Sequence, residues 1–100
     1  MAGCSEFALI KRYLSNLGAV RDDVMLGVGD DAAEVRSAAD VRQLMALDSL
    51  VEGVHFPIDF PAEWVGYRAL AVNISDIAAM GGSPCWALLG LTLPTADERW

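Results

Sequence analysis

The stretch PAEWVGYRALAVNISDIAAMGGSP, residues 61–84, predicts the main helix of the chain. Proline is favoured at the first position of a helix, and Pro61 opens a long, mostly apolar run. Glycine ends helices and proline cannot continue them, so Gly81, Gly82 and Pro84 indicate where this one stops. We therefore expect a long and mostly buried helix between Pro61 and Gly81.

Shorter segments on both sides of this helix complete the predicted fold. Apolar residues at helical spacing indicate a helix, short apolar runs indicate buried strands, and glycine with proline indicates a loop. The segments are, in chain order, a helix over residues 7–17 that Gly18 closes, strands over residues 24–28 and 41–47, a loop over residues 50–60, a strand over residues 86–93 and a helix that begins at Thr95. This order predicts an α+β or mixed α/β domain.

Length, composition and charge restrict the class of protein. The chain has 100 residues and a hydrophobic fraction of 54%, enough for one folded domain but short for an enzyme with two substrates. Residues 1–100 are therefore expected to be a single domain that is itself incomplete. Fourteen acidic against seven basic residues give a net charge of −7, which disfavours binding to nucleic acid or to an anionic membrane.

The sequence also indicates where the protein is found. Cys4 and Cys85 are far apart and form no Cys-x-x-Cys pair, so neither a zinc site nor a disulfide framework is predicted. No signal-peptide pattern precedes Lys11, and polar residues or glycines interrupt every apolar stretch, so no membrane span is predicted. We expect a soluble protein of the reducing cytoplasm.

Aspartates lie at the ends of the first two predicted strands. An acidic protein that handles phosphate needs cations held by carboxylates, so these positions are candidates for a metal site. Gly29 allows a sharp turn, after which one of Asp30 and Asp31 could bind a metal while the other braces the turn. Asp48 follows the second predicted strand in the same way. Taken singly, the pair Asp30 and Asp31 is better explained as an ordinary acidic turn, whereas Asp48 is equally consistent with a metal ligand or a cap.

A third candidate lies in the main helix. Asn73 and Asp76 are three residues apart, so they share one face of an otherwise apolar segment. A buried carboxylate requires a partner or a metal. A purely structural role is therefore harder to accept for Asp76 than for the acidic turn or for Asp48.

Two other features could contact phosphate. His55 is the only histidine and could bind a substrate phosphate, although a lone loop histidine is more often simply solvated. The glycines at 81 and 82 could cradle phosphate through backbone amides, but a helix stop is the preferred interpretation. The common nucleotide-binding motifs are absent from the sequence, and lysines are few, so several magnesium ions bridged by aspartates would have to offset phosphate charge.

Five segments, taken in order, resemble the thiamine-monophosphate kinase family. Each is modest alone, but together they cover nearly the whole chain at compatible spacing. They are EFALI at residues 6–10, GDDAA at 29–33, DSLVEGVHF at 48–56, AVNISDIAAMGG at 71–82 and PCWAL at 84–88.

The resemblance implies a fold and an activity. This family is grouped with aminoimidazole ribonucleotide synthetase and selenophosphate synthetase, whose ATP-binding N-terminal domains form homodimers with a barrel built from both sheets. The implied reaction transfers the γ-phosphoryl group of ATP to thiamine monophosphate and needs no protein nucleophile. The resemblance further implies that magnesium is held by Asp31, with Asp30 beside it, and by Asp48 and Asp76. It also implies that His55 contacts the substrate.

One departure from the family pattern concerns the metal site. The two positions before Asp48 usually carry hydroxyl groups that assist metal binding, and here they are Ala46 and Leu47. The backbone carbonyl of Leu47 could still serve, because hard cations accept carbonyl ligands. The family's later nucleotide-binding segments and its C-terminal domain would lie beyond Trp100, so this chain alone is expected to be inactive.

Two alternatives stay open at this point. One is a related enzyme of the same superfamily with a different phosphate acceptor, although the glycine-rich, lysine-bearing segment of selenophosphate synthetase is not seen. The other is a non-catalytic dimerisation module in which the acidic turns act only as structural caps. Binding of magnesium and ATP would separate the enzymes from the module.

Overall fold

The computed structural model describes residues 5–95 and 100 of the chain. These residues divide into two units, one with residues 5–41 and 91–95 and the other with residues 42–90 and 100. The helix predicted to begin at Thr95 would fall on residues outside the described part.

The first unit opens with a short helical segment. Helix α1 spans Glu6–Leu9, and the side chain of Ser5 caps it by accepting a hydrogen bond from the Ala8 amide at 3.2 Å. The chain continues as a π-helical segment over Ile10–Leu14. The predicted first helix is thus confirmed, although it ends before residue 17. Gly18 lies beyond it with φ of 80°, a conformation that favours glycine.

A two-stranded antiparallel sheet completes the first unit. Strand β1 spans Val24–Leu26 and strand β2 spans Glu34–Val35, with Val24 opposite Val35 and an irregularity before the next pair. The strand predicted over residues 24–28 is confirmed for its first three residues. Strand β2 is too short to be predicted from the sequence, because two residues do not produce a recognisable alternation.

Helix α2 is the main element of the second unit and spans Ala62–Ala79, with Pro61 at its N-cap. Its end follows from two hydrogen bonds, from the Gly81 amide to the Ala78 carbonyl at 2.9 Å and from the Gly82 amide to the Ile77 carbonyl at 3.0 Å. With Gly81 at φ of 75°, this is the Schellman arrangement that satisfies the last carbonyls of a helix. Both the helix and the interpretation of the glycines as its stop are confirmed.

The prediction that α2 is mostly buried is wrong. Val65, with 9% of its surface exposed, is the single buried residue among those described, whereas Trp64 is 57% and Tyr67 73% exposed. Residues half-buried on the same side as Val65 recur at helical spacing, at positions 69, 72, 73 and 77. The helix is apolar on two faces, and the described residues shelter only one of them.

The strands predicted over residues 41–47 and 86–93 are also wrong, since the structure forms no strand at either place. A strand requires a neighbour that accepts and donates its backbone hydrogen bonds, and neither segment has one among the described residues. Apolar sequence alone therefore did not produce sheet structure there. Asp48 consequently follows a segment without regular secondary structure and does not emerge from the end of a strand.

The loop predicted over residues 50–60 is confirmed. It contains turns and one isolated bridge between Glu52 and Phe56, and the rings of Phe56 and Phe60 lie 6.4 Å apart, centroid to centroid, at the side that leads into α2. Such a tilted aromatic pair helps to hold the end of a loop.

Candidate functional site

The two aspartates of the acidic turn after β1 make different contacts. The Asp31 amide donates a hydrogen bond to Oδ1 of Asp30 at 2.8 Å, so the Asp30 carboxylate braces the turn. Gly29, at φ of 123°, supplies the backbone path that brings the pair together. No described residue donates a hydrogen bond to the Asp31 carboxylate, which is exposed and available to a ligand.

Asp48 and Asp76 both belong to the second unit. Both are exposed, and within the described part of the chain their carboxylates have neither a hydrogen bond nor an ion pair. The inference that Asp76 is buried and so needs a partner is therefore wrong, because Asp76 lies on the side of α2 that the described residues leave open.

Asn73 is a polar group whose environment the sequence analysis did not foresee. Its Nδ2 donates to the Ala69 carbonyl one turn earlier at 2.8 Å, while its Oδ1 is buried and has no hydrogen-bond partner. A buried acceptor without a partner is costly and uncommon. The sequence feature that could have indicated this environment is the position of the Asn73 amide inside an apolar helical run, three residues before Asp76.

The chemistry of the predicted metal ligands suits magnesium. The Asp31, Asp48 and Asp76 carboxylates, with Asp30 beside Asp31 and with the Leu47 carbonyl, make up a donor set of oxygen only, the ligand that this hard cation takes. No backbone amide of the described residues donates to the Leu47 carbonyl.

Among the described residues there is no group of three or more His, Cys, Asp or Glu side chains that could hold a metal ion. Asp31 belongs to the first unit, and Asp48 and Asp76 to the second. The metal site stays a prediction.

His55 lies in a closely hydrogen-bonded loop of the second unit, residues 51–56, which we call the His55 loop. The Val51 amide donates to Nδ1 of His55 at 2.9 Å, and the His55 amide donates back to the Val51 carbonyl at 2.8 Å. The Gly53 amide donates to the Phe56 carbonyl at 2.7 Å, with Gly53 at φ of 79°. The imidazole is therefore held on its loop rather than simply solvated, and its role toward a substrate stays a prediction.

The lengths and compositions of α1 and α2 bear on whether either could cross a membrane. Among the described residues, neither is long and apolar enough to cross a bilayer.

Comparison with known proteins identifies relatives. The chain is 46% identical over 97 residues to the thiamine-monophosphate kinase of Escherichia coli (strain K12), which covers 97% of this chain and 30% of the relative. It is 44% identical over 95 residues to the Haemophilus influenzae protein of the same name, covering 95% of the chain and 29% of the relative. A third relative with that name, from Bacillus subtilis (strain 168), is 48% identical over 73 residues, or 72% of the chain and 22% of the relative. No solved structure matches significantly.

The chain spans less than a third of the length of these relatives and aligns with their N-terminal part. Residues 29–100 match the family described as AIR synthase related protein, N-terminal domain. The helices and the small sheet are consistent with a mixed α+β member of that family. Because the match includes the acidic turn, the His55 loop and α2, the chain belongs to the AIR synthase related family as an N-terminal domain.

Proposed function

We propose that this chain supplies the metal-binding and acceptor-binding part of an ATP-dependent thiamine-monophosphate kinase. The observation that carries the proposal is the 46% identity over 97% of the chain to a relative of that name. The unengaged carboxylates of Asp31, Asp48 and Asp76 support it, because a phosphoryl-transfer enzyme with net charge −7 needs oxygen donors free to hold cations.

The reaction we propose is an in-line transfer. An oxygen of the thiamine monophosphate phosphate attacks the γ-phosphorus of ATP, the bond between that phosphorus and the β–γ bridging oxygen breaks, and thiamine diphosphate and ADP leave. No protein nucleophile takes part. The chain acts by positioning, with the His55 loop directing the acceptor.

Asp31, Asp48 and Asp76 would hold magnesium, with Asp30 bracing the turn that presents Asp31 and with the Leu47 carbonyl as a further oxygen donor. Bound magnesium supplies positive charge that offsets the charge of the transferring phosphoryl group. Because Ala46 and Leu47 provide no hydroxyl group, the site has one kind of ligand fewer than the family pattern.

We further propose that the protein works as a homodimer in the cytoplasm, with a barrel completed across the two copies. Support comes from the two apolar segments that were predicted as strands. They have no ladder partner among the described residues, and they expose large side chains such as Met45 and Leu88, each at 91%. Contacts from the rest of the protein or from a second copy would cover this apolar surface.

A chimaeric protein tests the activity. In it this chain replaces the matching N-terminal segment of the E. coli relative, and formation of thiamine diphosphate from ATP and thiamine monophosphate is followed with magnesium present. We expect turnover close to that of the unaltered relative. Circular dichroism and thermal unfolding of both proteins serve as the control for folding.

A folded chimaera that binds magnesium and ATP but makes no thiamine diphosphate would contradict the proposed acceptor and favour a related enzyme. A folded dimeric chimaera that binds neither would favour the non-catalytic module. Calorimetric titration with magnesium and a non-hydrolysable ATP analogue distinguishes these two results.

A further inference from the structure

The His55 loop fixes which ring nitrogen of His55 carries the proton. A neutral imidazole has one N–H donor and one acceptor nitrogen. The group facing Nδ1 is the backbone amide of Val51, which can only donate, at 2.9 Å. Nδ1 must therefore be the acceptor, and the proton lies on Nε2.

We propose that His55 is a preset Nε2–H donor to an anionic oxygen of the phosphate acceptor, and that the Val51 amide and Gly53 are the groups that position it. The identity of the acceptor rests on the proposed function, whereas the position of the proton on the His55 ring does not. Within the described residues no hydrogen bond engages Nε2, so it remains for an outside partner.

The same geometry separates His55 from the metal ligands. A histidine that binds a metal through Nε2 keeps its proton on Nδ1 and donates it to an acceptor. Here that proton would face the Val51 amide, placing two donors against each other at hydrogen-bonding distance. His55 is thus suited to donate to an oxygen and unsuited to bind magnesium, which takes oxygen ligands in any case.

Gly53 makes the loop geometry possible through its backbone. Its φ of 79° lies in the left-handed region, and a Cβ built there would meet no atom within 4 Å. Only backbone conformation therefore limits this position, not space. Asparagine enters the left-handed region readily, whereas a β-branched residue does so only with strain, so Gly53→Asn and Gly53→Val form a matched pair.

Nuclear magnetic resonance of the untagged, nitrogen-15-labelled chain tests the state of the ring. His55 is the only histidine, so the spectrum contains just two imidazole nitrogens. At a pH where the ring is neutral, we expect a protonated Nε2, an unprotonated Nδ1 and a nitrogen–nitrogen coupling across the hydrogen bond from the Val51 amide. Gly53→Asn should keep this coupling and Gly53→Val should lose it.

A proton on Nδ1 would overturn the proposal. So would the absence of coupling together with a Val51 amide that exchanges as fast as an unprotected one.

Kinetics of the chimaera test the donor role. Asparagine at position 55 offers an oxygen close to where Nδ1 lies but has nothing in place of Nε2. His55→Asn should raise KM for thiamine monophosphate roughly 10- to 100-fold, the range for a hydrogen bond to a charged group, and leave KM for ATP unchanged. Gly53→Val should raise the same KM, and Gly53→Asn should not. The double variant Gly53→Val with His55→Asn should have a KM for thiamine monophosphate no higher than that of His55→Asn alone.

An unchanged KM for thiamine monophosphate in His55→Asn would overturn the donor role. An unaltered chimaera that makes no thiamine diphosphate would instead contradict the proposed function, and the spectrum would still decide the state of the ring.

Discussion

Asp76 and Asp59 are both exposed aspartates of the second unit, yet they lie in different backbone settings. Asp76 is on α2 and Asp59 is in the preceding loop with φ of 67°, a conformation that asparagine tolerates as well as aspartate. The same substitution can therefore be made at both positions, and only the first is a predicted metal ligand.

We expect Asp76→Asn in the chimaera to lower turnover by at least about 100-fold, because removing a metal carboxylate removes several kcal/mol of charge stabilisation. Asp59→Asn should leave turnover unchanged. Formation of thiamine diphosphate across a magnesium titration is the measurement. If the two variants titrate alike, Asp76 is not a metal ligand.

At the scale of elements, the end of α2 depends on two adjacent glycines for different reasons. Gly81 adopts φ of 75° with open space around its Cβ position. At Gly82 a Cβ would lie 2.8 Å from Cδ1 of Leu44 and 3.0 Å from Cγ2 of Ile77. One position is limited by backbone conformation and the other by packing.

Gly81→Ala should destabilise the chimaera by about 1 kcal/mol, the cost of a left-handed alanine, and Gly81→Asn by less. The thermal unfolding midpoint of each variant is the measurement. Equal midpoints for Gly81→Ala and the unaltered protein would mean that the helix ends without the left-handed residue.

Gly82→Ala should also lower the unfolding midpoint, because the Leu44 side chain would have to move away. The same substitution in a Leu44→Ala background should cost less, since the obstructing Cδ1 is gone. This double-mutant cycle measures whether the irregular segment before Asp48 packs against the end of α2. Additive effects would contradict that contact.

At the scale of the whole molecule, apolar surface is the dominant feature. Leu88, in one of the unpaired segments, is 91% exposed, and Val20, outside both segments, is fully exposed as well. Under the homodimer proposal, contacts from the second copy cover Leu88 and leave Val20 exposed. Lysine at a position that becomes buried is strongly unfavourable, because its charge loses water without gaining a partner.

Leu88→Lys should therefore weaken association of the chimaera by at least roughly 10-fold, and Val20→Lys should leave it unchanged. Sedimentation equilibrium over a range of concentrations gives both dissociation constants. Equal constants for the two variants would show that the segment over residues 86–93 lies outside the dimer interface and its supporting sheet.

Local features of this protein followed from the sequence because their causes are local. Pro61 precedes α2, and Gly81 with Gly82 ends it, each through contacts within a few residues. The acidic turn at Gly29 and the breakers of the His55 loop were recognisable for the same reason. The family resemblance also followed from the sequence, since five ordered segments carry it.

Features that depend on distant neighbours were decided only by the tertiary structure. The apolar runs at residues 41–47 and 86–93 were predicted to be strands. A strand exists only with a hydrogen-bonded partner, and the described residues provide none for either run. The predicted burial of α2 was wrong because the hydrophobic pattern indicates which faces of the helix are apolar, not which faces other residues cover. The brace from Asp30 to Asp31 and the bond from Val51 to His55 needed coordinates, because both depend on the exact path of a turn.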